Sequence, residues 1–316
     1  MRAVEITSYG GPGVLRVVEI PKPDVRDGEV LVRVAAAGVS HADVMQRQGS
    51  YPPPPGAPEI LGLECAGTLD GKPVCALLAG GGYAEYVAVP REQVLPIPER
   101  WTAIEAATLP ENMFTVYDNL FNRARFVRGE SILVHGGTSG IGSTAIMLAR
   151  AFGASFIAAT AGSPEKCDAV LRFGAHLAID YKKEDFVQRV LDATENRGVD
   201  IVIDIVGGDY IARDLQALAL DGRIVVLASP AGSNVQIDLG VMARKRAFVM
   251  GSSLRARTPA QKGEIARALR QRVWPLLPSK DPIRPVVDSV FPFVRAGEAH
   301  ERMEASAHIG KIVLVP

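Results

Sequence analysis

The chain has 316 residues, of which 47% are hydrophobic and 22% are charged, as in ordinary soluble globular proteins. Because 35 Lys and Arg residues balance 35 Asp and Glu residues, the composition offers no overall positive field for nucleic acid or an anionic membrane. A chain of this length is expected to form two domains.

Cysteine usage and hydropathy indicate the compartment. Cys65, Cys75 and Cys167 are few and widely spaced, which is typical of a reducing environment without disulfides. The first residues, "MRAVEITSYGG", lack a signal-peptide pattern, and no apolar run approaches the roughly 18 residues that a membrane span needs. We therefore expect a cytoplasmic protein that does not insert into a membrane.

The first hundred or so residues are predicted to be rich in β-strands. The segments "EVLVRVAAAGV", "LECAGTL" and "AEYVAVP" are short apolar or alternating runs separated by Gly and Pro. Four consecutive prolines in "YPPPPGAP", residues 51–58, exclude regular structure and favour a stiff, extended segment that fixes the position of its neighbours.

Strands and helices alternate after a helical stretch that begins near residue 104. The predicted strands are "SILVH", "SFIAAT", "HLAID", "VDIVIDIVGG" and "GRIVVLAS", and the helices include "GIGSTAIMLARAFG", a segment capped by Ser163, and "KKEDFVQRVLDATEN" with acids in its first turn. Continuously apolar strands in such an alternation predict a doubly wound parallel sheet covered on both faces. The basic run "ARKRAF" is expected to be a solvated loop.

The chain after residue 255 is predicted to return to the first domain. It contains one helix, "AQKGEIARALRQRVWPLL", and two β-like pieces, "DSVFPF" and "GKIVLVP". The predicted domains are residues 1–112 with 255–316, and residues 113–254.

A glycine cluster marks a candidate nucleotide site. In "SILVHGGTSGIG", Gly137, Gly140 and Gly142 fall where a strand turns into a helix, with Ser139 in the place of the second glycine of G-x-G-x-x-G. Small residues there let a diphosphate approach the backbone, and a helix beginning near Ser139 directs free N–H groups at it. The alternative is a tight turn without a ligand.

The next strand lacks the acid that usually holds the adenosine ribose. Instead of Asp or Glu, "FIAATAGSPEK" offers Gly162, Ser163 and Lys166. A 2′-phosphate would be repelled by a carboxylate but is favoured by a cap hydroxyl and a lysine at a helix N-terminus, and Tyr181 could close this site. The pattern favours NADPH over NADH, unless Ser163 is only a cap and Lys166 only a surface lysine.

These segments together resemble the zinc-free quinone oxidoreductases of the medium-chain dehydrogenase/reductase superfamily. The resemblance runs nearly end to end and rests on "EVLVRVAAAGVSHADVMQRQGSYPPPPG", "ILGLECAG", "ALLAGGGYAEYVAVP", "HGGTSGIG", "TAGSPEK", "LALDGRIVVL" and "AHERMEASAHIGKIVL". The branch is similar to that of the p53-inducible quinone oxidoreductase and, more distantly, zeta-crystallin. It implies an α/β protein with a GroES-like β-rich catalytic domain, a Rossmann doubly wound domain and NADPH in a cleft between them.

The resemblance also implies a metal-free enzyme. Zinc-dependent relatives carry Cys-x-x-Asp and Gly-His-Glu, whereas this chain has Ser40 and Leu63 at the two ligand positions and Glu111 near the third. Reduction of a quinone is the favoured activity, because a quinone is electrophilic without a Lewis acid. An enone or alkenal double-bond reductase is the alternative, and a non-catalytic crystallin-like or RNA-binding protein is the third possibility.

Site residues carried over from the family are expectations about this sequence. Ser40, Asp43, Tyr51 and Thr115 are expected to line the substrate pocket. The Tyr51 hydroxyl is expected to orient the substrate carbonyl, or else the side chain only packs. Ser139 is either catalytic or simply a small residue near the diphosphate. Glu64 is expected to form structural hydrogen bonds, and Lys311 falls near the cofactor in some relatives.

The expected cofactor contacts comprise most of the remaining candidates. They are Tyr51, Gly137, Ser139, Gly140, Ile141, Gly142, Gly162, Ser163, Lys166, Tyr181, Gly207, Leu227, Ala228, Ser229, Pro230, Ser252, Ser253 and Leu254. The resemblance further implies a homodimer, for which the apolar strand "AFVMGSS" is the expected edge.

Overall fold

The computed structural model describes residues 1–316 and contains two compact units. One consists of Met1–Phe114 and Leu254–Pro316, and the other of Thr115–Ser253. That these units fold as separate domains remains a prediction. No helix in either unit is both long enough and apolar enough to cross a membrane.

The first unit is built on antiparallel strands. Its strands, numbered along the whole chain, are β1 (Arg2–Ile6), β2 (Leu15–Glu19), β3 (Glu29–Val39), β4 (Glu64–Leu69), β5 (Lys72–Leu77), β6 (Tyr86–Pro90), β7 (Val94–Pro96), β14 (Val287–Pro292) and β15 (Lys311–Val315). A seven-stranded sheet has the order β14-β15-β3-β4-β5-β7, with β6 also paired to β3. The predicted C-terminal β-pieces therefore join the N-terminal strands, β15 pairing antiparallel with β3.

Five helices accompany or border this sheet. They are α1 (His41–Arg47), α2 (Ala103–Ala106), α3 (Pro110–Tyr117), α9 (Pro259–Arg272) and α10 (Ala296–Glu304). The helical stretch predicted from residue 104 is interrupted, because Pro110 cannot continue α2 and instead begins α3. The four-proline segment forms neither helix nor strand, as predicted.

The second unit is a doubly wound parallel sheet. It contains β8 (Ser131–Val134), β9 (Phe156–Ala161), β10 (Leu177–Asp180), β11 (Val199–Asp204), β12 (Leu218–Val226) and β13 (Phe248–Gly251), with α4 (Gly140–Ala151), α5 (Pro164–Phe173), α6 (Phe186–Ala193), α7 (Tyr210–Ala217) and α8 (Leu239–Lys245). The order β10-β9-β8-β11-β12-β13 is that of a dinucleotide-binding Rossmann sheet. The predicted fold class is confirmed.

Two local predictions were wrong. The helix α6 begins at Phe186 and not at Lys182, because the Asp185 side chain accepts the Val187 N–H and caps the helix there. The basic run "ARKRAF" is not a loop: its first residues form the last turn of α8, where cations are favoured by the helix dipole. Arg246 then ends that helix in the left-handed region, with φ of 48°.

Candidate active site and cofactor-binding edge

The predicted cofactor residues of the second unit lie along one edge of its sheet. All six strands are parallel, so their carboxyl ends meet at the same edge. That edge carries the glycine turn after β8, Gly162 and Ser163 after β9, Tyr181 after β10, Gly207 after β11, Leu227–Pro230 after β12, and Ser252 and Ser253 after β13. The fold thus assembles residues that are far apart in sequence; their role in binding stays a prediction.

The glycine turn leaves almost no space for larger side chains. A Cβ on Gly142 would lie 2.2 Å from the carbonyl oxygen of Gly136, and Gly136 itself has a φ of 64°. Ser139 is the N-cap of α4, and its hydroxyl oxygen accepts the Gly142 N–H at 2.9 Å. The turn therefore brings the N-terminus of a 12-residue helix to the sheet edge, where its free N–H groups favour a phosphate.

A buried polar cluster beneath this turn was missed in the sequence. His135 joins Asp214 through Nε2 at 2.8 Å and Thr160 Oγ1 through Nδ1 at 3.1 Å. Thr160 Oγ1 also accepts the Gly136 N–H. On β11, the Asp204 carboxylate accepts the Gly207 N–H at 3.0 Å. The sequence did contain a signal for this cluster, because His135 and Asp204 are polar residues at the ends of apolar strands.

The end of β9 carries residues that are predicted to bind the 2′-phosphate of a dinucleotide. Ser163 caps α5, as predicted, and its hydroxyl accepts the Lys166 N–H at 3.3 Å; Pro164 is the first helical residue. The Tyr181 hydroxyl lies 2.8 Å from the position that a Cβ on Gly162 would occupy. Gly162 therefore makes room for a phenol that is 46% exposed, and no carboxylate of the strand end blocks a phosphate.

Ser40 and Asp43 form a tight unit at the start of α1 in the first unit. One Asp43 oxygen accepts the Ser40 N–H at 2.8 Å and the Ser40 hydroxyl at 2.9 Å, and the other accepts the Gly62 N–H at 2.9 Å. The Tyr83 hydroxyl adds a contact at 3.3 Å. Burial raises the pKa of Asp43, and the hydrogen bonds from Ser40 and Gly62 oppose that rise. Asp43 thus orients Ser40; contact of either with substrate stays a prediction.

Tyr51 begins the proline segment and is half-buried. The guanidinium carbon of Arg255 lies 5.2 Å from the centre of its ring. Burial raises the Tyr51 pKa, although the Arg255 charge opposes the rise. The phenol therefore keeps its proton at neutral pH and can donate a hydrogen bond.

Two further predicted residues have identified positions. Thr115 lies on α3, and its carbonyl oxygen accepts a hydrogen bond from the Asn119 side chain at 2.7 Å. Leu254 is half-buried at the start of the C-terminal segment of the first unit. Their roles stay predictions.

The residues at the expected zinc position do not fit a zinc ion. The Ser40 hydroxyl donates to Asp43, and Leu63 has no donor atom. The Glu64 carboxylate is engaged by the Lys311 ammonium at 2.5 Å and by the Glu111 N–H at 3.0 Å. Burial alone would lower the Lys311 pKa, but Glu64 and nearby carboxylates raise it, so a cation is already present. No group of three or more His, Cys, Asp or Glu side chains is arranged for a metal.

Comparison with known proteins identifies the family. Residues 26–72 match the alcohol dehydrogenase GroES-like domain, and residues 140–271 match the family described as zinc-binding dehydrogenase. Quinone oxidoreductases of Mus musculus and Homo sapiens are each 30% identical to the chain. Each match covers the whole of this chain and 98% of the length of the relative. A quinone oxidoreductase from Thermus thermophilus, solved also with NADPH, is 32% identical with a TM-score of 0.87 over both full chains. A mycobacterial protein complexed with NADPH is 28% identical, with a TM-score of 0.88.

A GroES-like β-rich unit and a Rossmann sheet with a glycine turn at its carboxyl edge are the features of a medium-chain oxidoreductase. The chain belongs to the quinone oxidoreductase family of the medium-chain dehydrogenase/reductase superfamily. The predicted family and the predicted enzymatic nature are both confirmed.

Proposed function

We propose that this protein is an NADPH-dependent quinone oxidoreductase. The observation that carries the proposal is the end of β9, where Gly162 makes room for the Tyr181 hydroxyl beside the capped N-terminus of α5. A 2′-phosphate is a dianion that gains from a phenol, a cap hydroxyl and a helix N-terminus. The relatives solved with NADPH support this cofactor.

The residues of the sheet edge would hold the cofactor in two places. The glycine turn and the N-terminus of α4 would bind the diphosphate, and Ser163, Lys166 and Tyr181 would bind the 2′-phosphate. When bound, NADPH supplies a hydride from its nicotinamide ring. The protein's own contribution is binding and orientation of this cofactor.

Tyr51 is the proposed orienting group for the quinone. Its raised pKa keeps the hydroxyl protonated, so it can donate a hydrogen bond to the quinone oxygen on which negative charge develops. The stiff proline segment after Tyr51 restricts the backbone that carries this side chain. Quinones suit such a site because their carbonyl groups are electrophilic without a metal ion.

The activity is tested by NADPH oxidation at 340 nm with an ortho-quinone in the presence of a chelator, with NADH in parallel. We expect turnover with NADPH to exceed turnover with NADH clearly. Turnover of enones but not of quinones would replace the proposal with a double-bond reductase. Equal turnover with both cofactors would contradict the phosphate site.

The phosphate site is tested by Lys166→Ala combined with Tyr181→Phe. The double variant should lose at least about tenfold in NADPH affinity relative to NADH, because two donors to a dianion are removed. Arg172→Gln is the matched control, since it removes a positive charge at the opposite end of the same helix. An unchanged ratio of NADPH to NADH affinity in the double variant would contradict the assignment.

We also propose a homodimer formed through β13. This strand has a neighbour on one side only, and Phe248 and Val249 are 58% and 37% exposed on it. An exposed apolar edge favours pairing with a second copy. Val249→Lys should shift the mass in light scattering from dimer to monomer, whereas Leu239→Lys, on α8, should not. A monomeric mass for the unmodified protein at micromolar concentration would exclude the dimer.

A further inference from the structure

Four Lys and Arg side chains are buried in the first unit, and they differ in how their charges are compensated. They are Arg47, Arg255, Lys262 and Lys311. Arg47 pairs with Glu304 at 2.6 Å, and Lys311 pairs with Glu64 at 2.5 Å. Arg255 and Lys262 form no ion pair with a carboxylate. Because a buried charge is costly unless it is paired, these two cations need an explanation.

Arg255 is held rigidly but retains one unused donor group. It is only 8% exposed. Its Nε donates to the Ala79 carbonyl oxygen at 3.0 Å, and its Nη2 donates to Gln46 Oε1 at 2.6 Å. Its Nη1 is buried without a hydrogen-bond partner. Two anchored nitrogens thus fix the guanidinium plane and leave the third nitrogen available for a ligand.

Lys262 places a second positive charge nearby. The side chain is 3% exposed, and its ammonium donates to the Arg255 carbonyl oxygen at 2.8 Å. Burial lowers the Lys262 pKa to about 8, with the charge of Arg255 acting in the same direction. Asp43 acts on Arg255 only through space, since its oxygens already accept hydrogen bonds from Ser40, Gly62 and Tyr83. No carboxylate therefore contacts either cation, and the charge of Asp43 offsets that of Arg255 only from a distance.

We propose that Arg255 binds an anionic group of the acceptor molecule, beside the ring of Tyr51. This inference rests on the proposed quinone reductase activity and narrows it to quinones that carry a carboxylate, sulfonate or similar anion. Because Nη1 is buried and the Arg255 guanidinium lies over the half-buried Tyr51 ring, the anion would reach Nη1 through a small displacement of this ring. Tyr51 would then orient the carbonyl oxygen while Arg255 binds the anion.

The first test compares 1,2-naphthoquinone with its 4-sulfonate as acceptors. The sulfonate should have a kcat/KM at least about tenfold higher, since a charge-assisted hydrogen bond adds that much. Arg255→Gln should abolish this preference mainly through KM. Arg257→Gln, which removes a neighbouring positive charge, should keep it. Equal kcat/KM values for the two acceptors, or a preference that survives in Arg255→Gln, would overturn the inference.

The second test measures binding without turnover. Calorimetric titration with 2-naphthalenesulfonate should give clear binding to the wild-type protein, and neutral 2-naphthol should bind at least about tenfold more weakly. Lys262→Met leaves the hydrogen bonds of the Arg255 side chain intact and should weaken sulfonate binding severalfold. This variant keeps the inference testable if Arg255→Gln fails to fold. Equal binding of the two compounds to the wild-type protein would overturn the inference.

The two tests separate this inference from the proposed function. Quinone turnover without any sulfonate preference would leave the quinone reductase proposal standing and refute the anion site. Sulfonate binding that depends on Lys262 and Arg255, in a protein that reduces no quinone, would support the anion site and refute the quinone reductase proposal.

Discussion

Replacement of His300 tests whether a buried neutral histidine makes the first unit sensitive to acid. His300 is fully buried on α10, with Nδ1 3.3 Å from Arg47 Nη1 and Nε2 3.2 Å from the Tyr83 hydroxyl. Because Arg47 can only donate, Nδ1 accepts and the ring is neutral, with the proton on Nε2. Burial lowers the His300 pKa from 6.5 to about 3, and the Arg47 charge acts in the same direction.

The lowered pKa of His300 determines how much stability the protein loses in acid. Between pH 6.5 and about 3, the unfolded chain binds a proton at His300 that the folded protein does not bind. Stability therefore falls as the pH falls below 6.5. At about pH 4.5, roughly two units below the unfolded value, this histidine alone lowers the free energy of unfolding by about 3 kcal/mol. That is a large part of the stability of an ordinary domain.

The assay is urea unfolding followed by tryptophan fluorescence at several pH values between about 7 and 4.5. Both tryptophans, Trp101 and Trp274, lie in the first unit with His300, so the signal reports on that unit. His300→Gln keeps an acceptor for Arg47 and a donor for Tyr83 but has no charge to titrate. It should be about 1–2 kcal/mol less stable at pH 7, through imperfect packing. On acidification to about pH 4.5, it should lose about 3 kcal/mol less than the wild-type protein does.

A control and a refuting result complete this experiment. His41→Gln replaces an exposed histidine and should leave the pH dependence of the wild-type protein unchanged. If the free energies of unfolding of the wild-type protein and His300→Gln fall in parallel over the acid range, the buried neutral histidine does not control the acid sensitivity.

Three further predictions concern backbone space and buried charge. Gly142→Ala should weaken NADPH binding at least about tenfold in a fluorescence titration, because its methyl group would lie 2.2 Å from the Gly136 carbonyl oxygen and displace the turn. Lys262→Met should raise the free energy of unfolding at pH 7 by about 1–3 kcal/mol, since the pKa of about 8 marks an unfavourably buried charge. The stability advantage of this variant over the wild-type protein should shrink between pH 8 and 10.5, as the wild-type lysine loses its proton. A difference in urea unfolding that stays constant over this pH range would contradict the prediction. Lys311→Met should cost about 3–5 kcal/mol by leaving Glu64 unpaired, and adding Glu64→Gln should restore part of the loss.

The sequence predicts the second unit well because its information is local. Continuously apolar strands, a glycine turn and the cap at Ser163 each lie within a few residues of one another, and the structure confirms the strands and this cap. Helix ends are less predictable, because the cap at Asp185 competes with the helical preference of the preceding residues 182–184.

The polar interior of the first unit could not be predicted in the same way. Arg47 meets His300 across 253 residues of sequence, and Glu64 meets Lys311 across the pairing of β4, β3 and β15. No spacing rule links such residues; only the antiparallel order of the strands and the docking of α10 on α1 bring them together. The sequence did flag Glu64 and Lys311 separately, but it could not indicate that they neutralise each other.

The buried cations of the first unit differ in whether a carboxylate contacts them, and this difference bears on function. Where the first unit buries Arg47 and Lys311, it supplies a carboxylate for each, although this requires contacts between distant parts of the chain. For Arg255 the first unit supplies no contacting carboxylate. It instead anchors the guanidinium with neutral acceptors and leaves Nη1 unused next to the Tyr51 ring. An anionic ligand would remove part of this cost on binding, which is why we propose that the anion of the acceptor binds at Arg255.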